Sequence, residues 1–264
     1  MTIWQAIILG IVQGIAEFLP ISSSGHLVVL QRVFGLPQDN ITFDIIVHIG
    51  TLCAVFAVFW DDIISLAKNP FQKMTTMLII GTIPIVITGF LLREYVQIFH
   101  QAFLLAAAFT FTGILLLIAD NIKHTNKTVK EMTVLDALTI GMMQAVAIPP
   151  GISRSGATIT GALVSGLTRE TAARFSFLLS IIAITGAGTL EVWDVINSHH
   201  SIYRGNIPAY MVGFVVSAVS GYFSIRLLLK LIKKASLKFF AYYVFVLAAL
   251  ILVDRFVFNL FFTH

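Results

Sequence analysis

Charged residues are scarce in this chain, at 11% of its 264 residues. A soluble domain carries about 25% to cover its surface. With 58% hydrophobic residues and a mean hydropathy of +0.92, the chain could not cover a water-facing surface, and the composition implies an integral membrane protein. Cysteine is nearly absent. The single Cys53 excludes an internal disulfide framework and a cysteine zinc cluster, and it reads as a small core residue. A basic stretch after Met1 is also missing, and the first apolar run continues into a polar motif, so no cleavable signal peptide is expected.

Apolar runs of spanning length are present at six places: 41–60, 74–92, 101–119, 172–190, 208–229 and 239–261. They are lacking where they would complete the pattern. Residues 2–16 and 24–34 are short and interrupted by Phe18-Leu19-Pro20-Ile21-Ser22-Ser23-Ser24-Gly25, and 134–148 and 155–166 flank Pro149-Pro150-Gly151. A helical span needs about 20 apolar residues. Irregular backbone at membrane depth is tolerated only inside protein or against a water-filled cavity. Each interrupted pair therefore reads as a re-entrant helix hairpin, in an all-α integral membrane protein with six full spans.

The two interrupted pairs are copies. Laid without a gap, residues 1–36 match 132–167 at Met1, Thr2, Ala6, Gly10, Gln13, Ala16, Ile21, Ser22, Ser24, Gly25, Val33, Gly35 and Leu36. About three or four matches would arise from composition alone. The chain thus reads as a single polytopic domain over 1–264 with repeats at 1–120 and 132–264, joined by the polar connector 120–133. Three spans per repeat is odd, so the second copy is expected inverted, as in folds whose discontinuous helices meet near the midplane. All nine lysines (Lys68, Lys73, Lys123, Lys127, Lys130, Lys230, Lys233, Lys234 and Lys238) fall on one side of this topology. Arg32, Arg93, Arg204 and Arg255 fall on the other. The positive-inside rule makes the lysine side cytoplasmic and puts both termini outside.

The polar residues concentrate at the breaks. Pro20-Ile21-Ser22-Ser23-Ser24-Gly25-His26 has the composition of a capped helix start, whose N–H groups and dipole favour an anion. Gly151-Ile152-Ser153-Arg154-Ser155-Gly156-Ala157-Thr158 repeats it and adds a guanidinium. An arginine at the bilayer centre needs a fixed partner, and its fork fits carboxylate or phosphate. Pairing with Glu17 alone is the structural alternative. Glu17 follows Gln13 by one helical turn, and the copies divide the side chains: Glu17 corresponds to Ile148, Ser23 to Arg154, His26 to Ala157. A shared site would hold an anion near Arg154, Ser22, Ser24, Ser153, Ser155 and Thr158, opposite Glu17 and His26. A carboxylate beside an anion needs a proton or metal ion, which suits phosphoryl transfer. Asp44 and His48, at i and i+4, are either a pair orienting the site or a structural pair. Arg174 is either a second anion contact or a snorkelling side chain. His199 and His200 read as surface residues, and the 22 phenylalanines as lipid-facing bulk.

Gln13-x-x-x-Glu17 with Pro20-Ile-Ser-Ser-Ser-Gly-His26, and Pro150-Gly-Ile-Ser-Arg-Ser-Gly-Ala-Thr158, resemble the two signatures of the bacterial undecaprenyl-diphosphate phosphatases, the bacitracin-resistance family. The resemblance implies hydrolysis of a polyprenyl diphosphate to the monophosphate, recycling the carrier for cell-wall assembly. It also implies a divalent cation, Mg2+ or Ca2+, with Glu17 as the candidate ligand, and a site opening to the outer face of the bacterial cytoplasmic membrane. Important positions fall on Glu17, Ser23, His26, Ser153, Arg154, Ser155 and Thr158. Some members carry glutamate where this chain has Gln13, which leaves one carboxylate on that helix. Glu17 could be base or metal ligand, His26 base, acid or nucleophile, and Ser23 or water the nucleophile. The expected partners are the lipid diphosphate and the membrane, without nucleic acid; oligomeric state stays open, a homodimer being one option. The competing reading is a lipid-carrier flippase or secondary transporter without hydrolysis, since broken helices in inverted repeats are usual there.

Overall fold

The computed structural model describes residues 1–37, 41–122, 126–197, 206–232 and 236–262. Among these it is all-helical, the only β contact being an isolated parallel bridge between Lys127 and Leu167. The helices are α1 (Ile3–Phe18), α2 (Ser23–Val33), α3 (Ile41–Val58), α4 (Trp60–Lys68), α5 (Lys73–Leu92), α6 (Ala102–Asn121), α7 (Val134–Val146), α8 (Arg154–Val164), α9 (Arg169–Asn197), α10 (Ile207–Leu231) and α11 (Lys238–Val253). Six of them are long and apolar enough to cross a membrane: α3, α5, α6, α9, α10, and α11 continued to Phe258. They coincide with the six apolar runs of the sequence, although α9 runs past both ends of its predicted segment. Lys123, His199, His200, Arg204, Lys233 and Lys234 lie outside the described residues.

The sequence starts α1 and α7 in the same way. Thr2 Oγ1 accepts the Gln5 amide at 3.3 Å while Gln5 Oε1 accepts the Thr2 amide at 2.8 Å. Thr133 and Asp136 repeat this exchange at 3.3 and 2.6 Å. These capping boxes satisfy donors that have no acceptor within the helix. One short helix was not anticipated. The amphipathic α4 follows α3 after a single residue and buries none of its side chains.

The core corrects two expectations. Phe18, Phe43, Phe109, Phe175 and Phe177 are fully buried, so part of the phenylalanine content fills the interior rather than facing lipid. Cys53 is exposed on α3 and is not a core residue. Periodicity gives little guidance here, because a spanning helix is apolar on both its packed and lipid-facing sides.

Polar contacts mark two ends of the bundle. At one end Lys73 Nζ donates to the Lys130 carbonyl at 2.7 Å, and Lys127 Nζ reaches Asp136 Oδ2 at 2.5 Å and the Ser165 carbonyl at 3.1 Å. Asp120 there faces Arg169 at 3.5 Å and Lys238 at 3.9 Å. At the other end Arg32 Nη2 donates to the His100 carbonyl at 2.8 Å, its guanidinium 4.6 Å from the Phe262 ring centroid. A cluster built from Ala6, Leu9, Leu27, Phe43, Val47, Ala209 and Tyr210 packs the start of α1, the middle of α2 and the starts of α3 and α10 together.

Candidate functional site

The site forms where the two helix breaks meet. Between α1 and α2 only Leu19 to Ser22 leave the helix, so Ser23, Ser24 and Gly25 already belong to α2. Ser22 is the cap, with a positive φ of 69°. That conformation costs a non-glycine residue about 1–3 kcal/mol and persists where surrounding contacts enforce it. They do so here. Ser22 Oγ accepts the Gly151 amide at 3.0 Å and the Gly25 amide at 3.4 Å, and its carbonyl accepts His26 Nδ1–H at 2.6 Å. In the other break, Pro149 to Ile152 close a turn through Ile152 N–H donating to the Pro149 carbonyl at 3.1 Å. Gly151 supplies the φ of 93° that its third position requires. Thr112 of α6 clamps this turn, its hydroxyl donating to the Gly151 carbonyl at 2.8 Å and accepting the Ser153 amide at 2.9 Å.

The two tips are in backbone contact. A Cβ placed on Gly25 would lie 2.6 Å from Phe109 Cζ and 2.8 Å from both Cα and N of Gly151. Ser155 Oγ donates across to the Leu19 carbonyl at 3.1 Å. The N-termini of α2 and α8 are thereby brought to one place.

Glu17, on the last turn of α1, is the hub. Its Oε1 accepts Arg154 Nη2 at 2.6 Å. Its Oε2 accepts Ser23 Oγ at 2.5 Å and Gln13 Nε2 at 3.1 Å, with His48 Nε2 at 3.7 Å. The i, i+4 relation of Gln13 and Glu17 puts both on one face of α1, as their spacing requires. Arg154 is held through one nitrogen only: Nη1 is buried and has no hydrogen-bond partner, as is Gln13 Oε1. Such orphaned polar atoms, here one donor and one acceptor, each cost on the order of 1–3 kcal/mol when buried, more for a charged group, and each calls for an explanation such as a ligand that completes the set.

The other predicted hydroxyls, Ser24 apart, have backbone partners. Ser153 Oγ caps α8 by accepting the Gly156 amide at 3.0 Å and lies 3.2 Å from Ser155 Oγ. Ser24 Oγ lies 3.4 Å from Ser22 Oγ. Thr158 Oγ1 turns back to the Arg154 carbonyl at 2.9 Å and meets Ser176 Oγ at 2.5 Å. Asp44 and His48 belong to the same polar track. Gln31 Nε2 donates to Asp44 Oδ1 at 2.8 Å, and His48 Nδ1–H donates to the Asp44 carbonyl at 2.7 Å, which turns His48 Nε2 toward Glu17. Arg174 is not an anion contact, because Asp62 binds it through both carboxylate oxygens at 2.7 and 2.9 Å.

His26 is not bonded to Glu17. Its partners are the Ser22 carbonyl and Tyr243 Oη of α11, the latter 2.8 Å from Nε2, with the Phe109 ring edge-on at 5.4 Å. Tyr243, Thr112, Gln31 and Ser176 were not legible as site residues. Tyr243, Thr112 and Ser176 sit in helices other than those of the motifs, and Gln31, on α2 itself, lies past the motif with nothing in its spacing to single it out.

The site does not offer a preformed divalent cage. It has one carboxylate, whose charge Arg154 balances and whose oxygens carry three hydrogen bonds. Among the described residues no group of three or more His, Cys, Asp or Glu side chains is positioned to hold a metal ion. Oxygen-loving cations such as Mg2+ and Ca2+ ordinarily take six or more oxygens.

Comparisons with known proteins agree in kind with this constellation. Residues 6–250 match the family model of the bacitracin resistance protein BacA. The chain is 42% identical over 254 residues to an undecaprenyl-diphosphatase of Carboxydothermus hydrogenoformans, covering 96% of this chain and 97% of the relative. It is 40% identical to an undecaprenyl-diphosphatase of Halothermothrix orenii over 96% and 98% of the two chains. Undecaprenyl-diphosphatase 3 of Bacillus cereus is 44% identical to it over 96% and 97%. With its two serine-rich helix starts, its buried Glu17–Arg154 pair and these full-length matches, the chain belongs to the bacitracin resistance protein BacA family.

Proposed function

We propose that this chain hydrolyses undecaprenyl diphosphate to undecaprenyl phosphate and inorganic phosphate, recycling the lipid carrier for peptidoglycan synthesis. The observation that carries the reading is Arg154. Its guanidinium is anchored to Glu17 through Nη2 and presents a buried, unpartnered Nη1 beside two converging helix N-termini. A terminal phosphoryl group supplies the charge and the acceptor oxygens that such a set lacks. Because binding and charge stabilisation do most of the work in phosphoryl transfer, little else is needed beyond an activated nucleophile. Ser23 Oγ fits that part, since it donates to Glu17 Oε2 at 2.5 Å, the relation of a nucleophile to its base.

In the first step Ser23 Oγ forms a bond to the terminal phosphorus. The bond from that phosphorus to the bridging oxygen breaks, undecaprenyl phosphate leaves with the electron pair, and the serine proton passes to Glu17. In the second step water attacks phosphoserine, His26 takes the water proton, and phosphate departs as Glu17 returns the proton to Ser23. Arg154 and the first-turn amides of α2 and α8 hold the phosphoryl oxygens in both steps. With the single carboxylate Glu17 already balanced by Arg154, a divalent cation would be held by the lipid diphosphate, whose charge it would offset, rather than by these side chains. The names carried by the relatives give transport without hydrolysis no support.

We also read the two broken pairs as re-entrant hairpins of an inverted repeat over 1–120 and 132–264. What supports this is a set of exchanged pairings. α1 packs on α10 and α7 on α5, each helix meeting the other half of the chain. Gly10 lies against Gly213 and Val216, and Gly141 against Gly81 and Pro84. Both ends of the α7–α8 pair lie at the lysine end, by the contacts of Lys127 with Asp136 and Ser165. Both ends of the α1–α2 pair lie at the opposite end, by the shared apolar cluster and Arg32. We place the protein in the bacterial cytoplasmic membrane with the lysine end inside and both termini outside. The track from Gln31 and Asp44 through His48 to Glu17 starts at the lysine-poor end, which favours an outward opening.

Two experiments test these readings. Purified protein supplied with undecaprenyl diphosphate should release phosphate, form a quench-stable phosphoserine, and follow the concentration of the cation–diphosphate complex as Mg2+ or Ca2+ is varied. Ser23→Ala should lose both activity and label, by about 10³-fold in rate. Lipid movement across a liposome without phosphate release would instead select the flippase reading. For orientation, single cysteines in a Cys53→Ser background should react with an impermeant maleimide from the cytoplasmic face at Lys130 and from the outer face at Arg255. The reverse pattern would invert the topology.

A further inference from the structure

The site as built leaves His26 with a difficulty. A backbone carbonyl only accepts, so the 2.6 Å contact with the Ser22 carbonyl places a proton on Nδ1. In the neutral ring this leaves Nε2 as the sole basic atom, with one lone pair in the ring plane. That atom is 2.8 Å from Tyr243 Oη, within hydrogen-bond distance, and the two rings are parallel to within 5°. With Nδ1 protonated, Tyr243 must be the donor. The Phe109 ring closes another side of the imidazole, its centroid 5.4 Å away. Nε2 is therefore already engaged by a hydroxyl that comes from the last helix of the chain. Tyr243 as a residue is only partly buried on α11.

We infer that Tyr243 is a catalytic partner of His26, fixing its tautomer and relaying a proton between the attacking water and Nε2. A phenol oxygen can donate to a neutral imidazole and accept from an imidazolium. When the attacking water of the second step releases its proton, Tyr243 Oη takes it up while passing its own hydroxyl proton to Nε2. The reverse exchange restores both groups as phosphate leaves. No proton is gained or lost by the pair over a turnover, and the hydroxyl matches His26 in either charge state. The arrangement also explains why the imidazole is held by aromatic rings from α6 and α11 rather than by the Glu17 cluster. It separates a proton site from the carboxylate, which already has its own nucleophile to serve. The inference rests on the placement of His26 in the reaction proposed above.

Tyr243→Phe keeps the ring and removes the hydroxyl. In purified, folded protein it should lower kcat for phosphate release about tenfold or more, within the range of a lost acid–base contribution, while KM stays within about twofold. In a His26→Gln background the same substitution should have no further effect, because the group it serves is gone. A wild-type kcat in Tyr243→Phe, or an equal loss with and without His26, would overturn the inference. If His26→Gln alone kept wild-type activity, the placement of His26 would fall as well. That result differs from the one in which His26→Gln is inactive and Tyr243→Phe is not, which removes Tyr243 only.

Discussion

Arg154→Ala is expected to reduce phosphate release from undecaprenyl diphosphate by about 10³-fold, the upper range for removing one fixed donor from a site of developing negative charge. The reason is positional. Arg154 is the cation between the two helix starts, and its Nη1 has no other partner to satisfy. The loss should appear mainly in kcat, since the guanidinium strengthens its hold as charge moves onto the phosphoryl oxygens. The alanine variant will also be less stable. It leaves the Glu17 carboxylate buried without its charge partner, and breaking a buried pair in this way costs about 3–5 kcal/mol. Arg154→Lys separates the two effects. Lysine can still balance Glu17, so melting should recover most of the way, but a point charge cannot bridge carboxylate and phosphoryl as a planar fork does. Activity in Arg154→Lys should stay at least about tenfold down. If lysine restored full turnover, Arg154 would serve only to neutralise Glu17 and the anion site would be wrong.

The second large effect is on folding. Gly25→Ala should destabilise the protein by about 1–3 kcal/mol or more, the usual range for forcing a methyl group into a packed interior. The upper end is expected because the atoms in the way cannot move. The added Cβ would meet Cα and N of Gly151 at 2.8 Å, which are backbone held by Ser22 and Thr112. On its other side stands Phe109, fully buried. Relief would require the two helix tips to separate, so the lost stability should be accompanied by lost activity even at temperatures where the variant stays folded. Thermal melting in detergent, with phosphate release measured well below the transition, checks both. A variant that melted like wild type would mean that the tips are not in contact. Gly89→Ala is the control: it lies on α5, its φ is not in the left-handed region, and a Cβ there meets nothing within 4 Å, so it should melt like wild type.

Much of the architecture was legible because membranes limit the options. Six apolar runs became six helices long and apolar enough to cross a membrane, since lipid leaves a helical segment no partner for its backbone except itself. The breaks were legible for the complementary reason. A proline, a cap residue and a run too short to span can only interrupt a helix, and Ser22 and Ser153 took the cap positions in both copies. The faces of the helices were not legible. Cys53 was placed inside and is exposed, and Phe175 and Phe177 were placed against lipid and are buried. In water, polarity distinguishes the packed side of a helix from the outer side; in lipid both are apolar, so shape decides.

The candidate site divides along the same line. Glu17, Ser23, His26 and Arg154 stood out from the sequence alone, because ionisable and hydroxyl groups at membrane depth are costly enough to need a reason. The Gln13–Glu17 contact followed from helical spacing. What the chain alone could not give is which groups face one another across the join. The structure pairs Arg154 with Glu17 from the other half, sends His26 to Tyr243 on the last helix instead of to Glu17, and turns Thr158 and Ser153 toward backbone. Spacing fixes relations within about two turns of one helix. The Arg154–Glu17 contact, 137 positions apart, depends on how closely the two helix tips approach, which Gly25 against Gly151 sets with no side chain between them. The His26–Tyr243 contact, 217 positions apart, depends on the apolar packing that brings α11 beside α2.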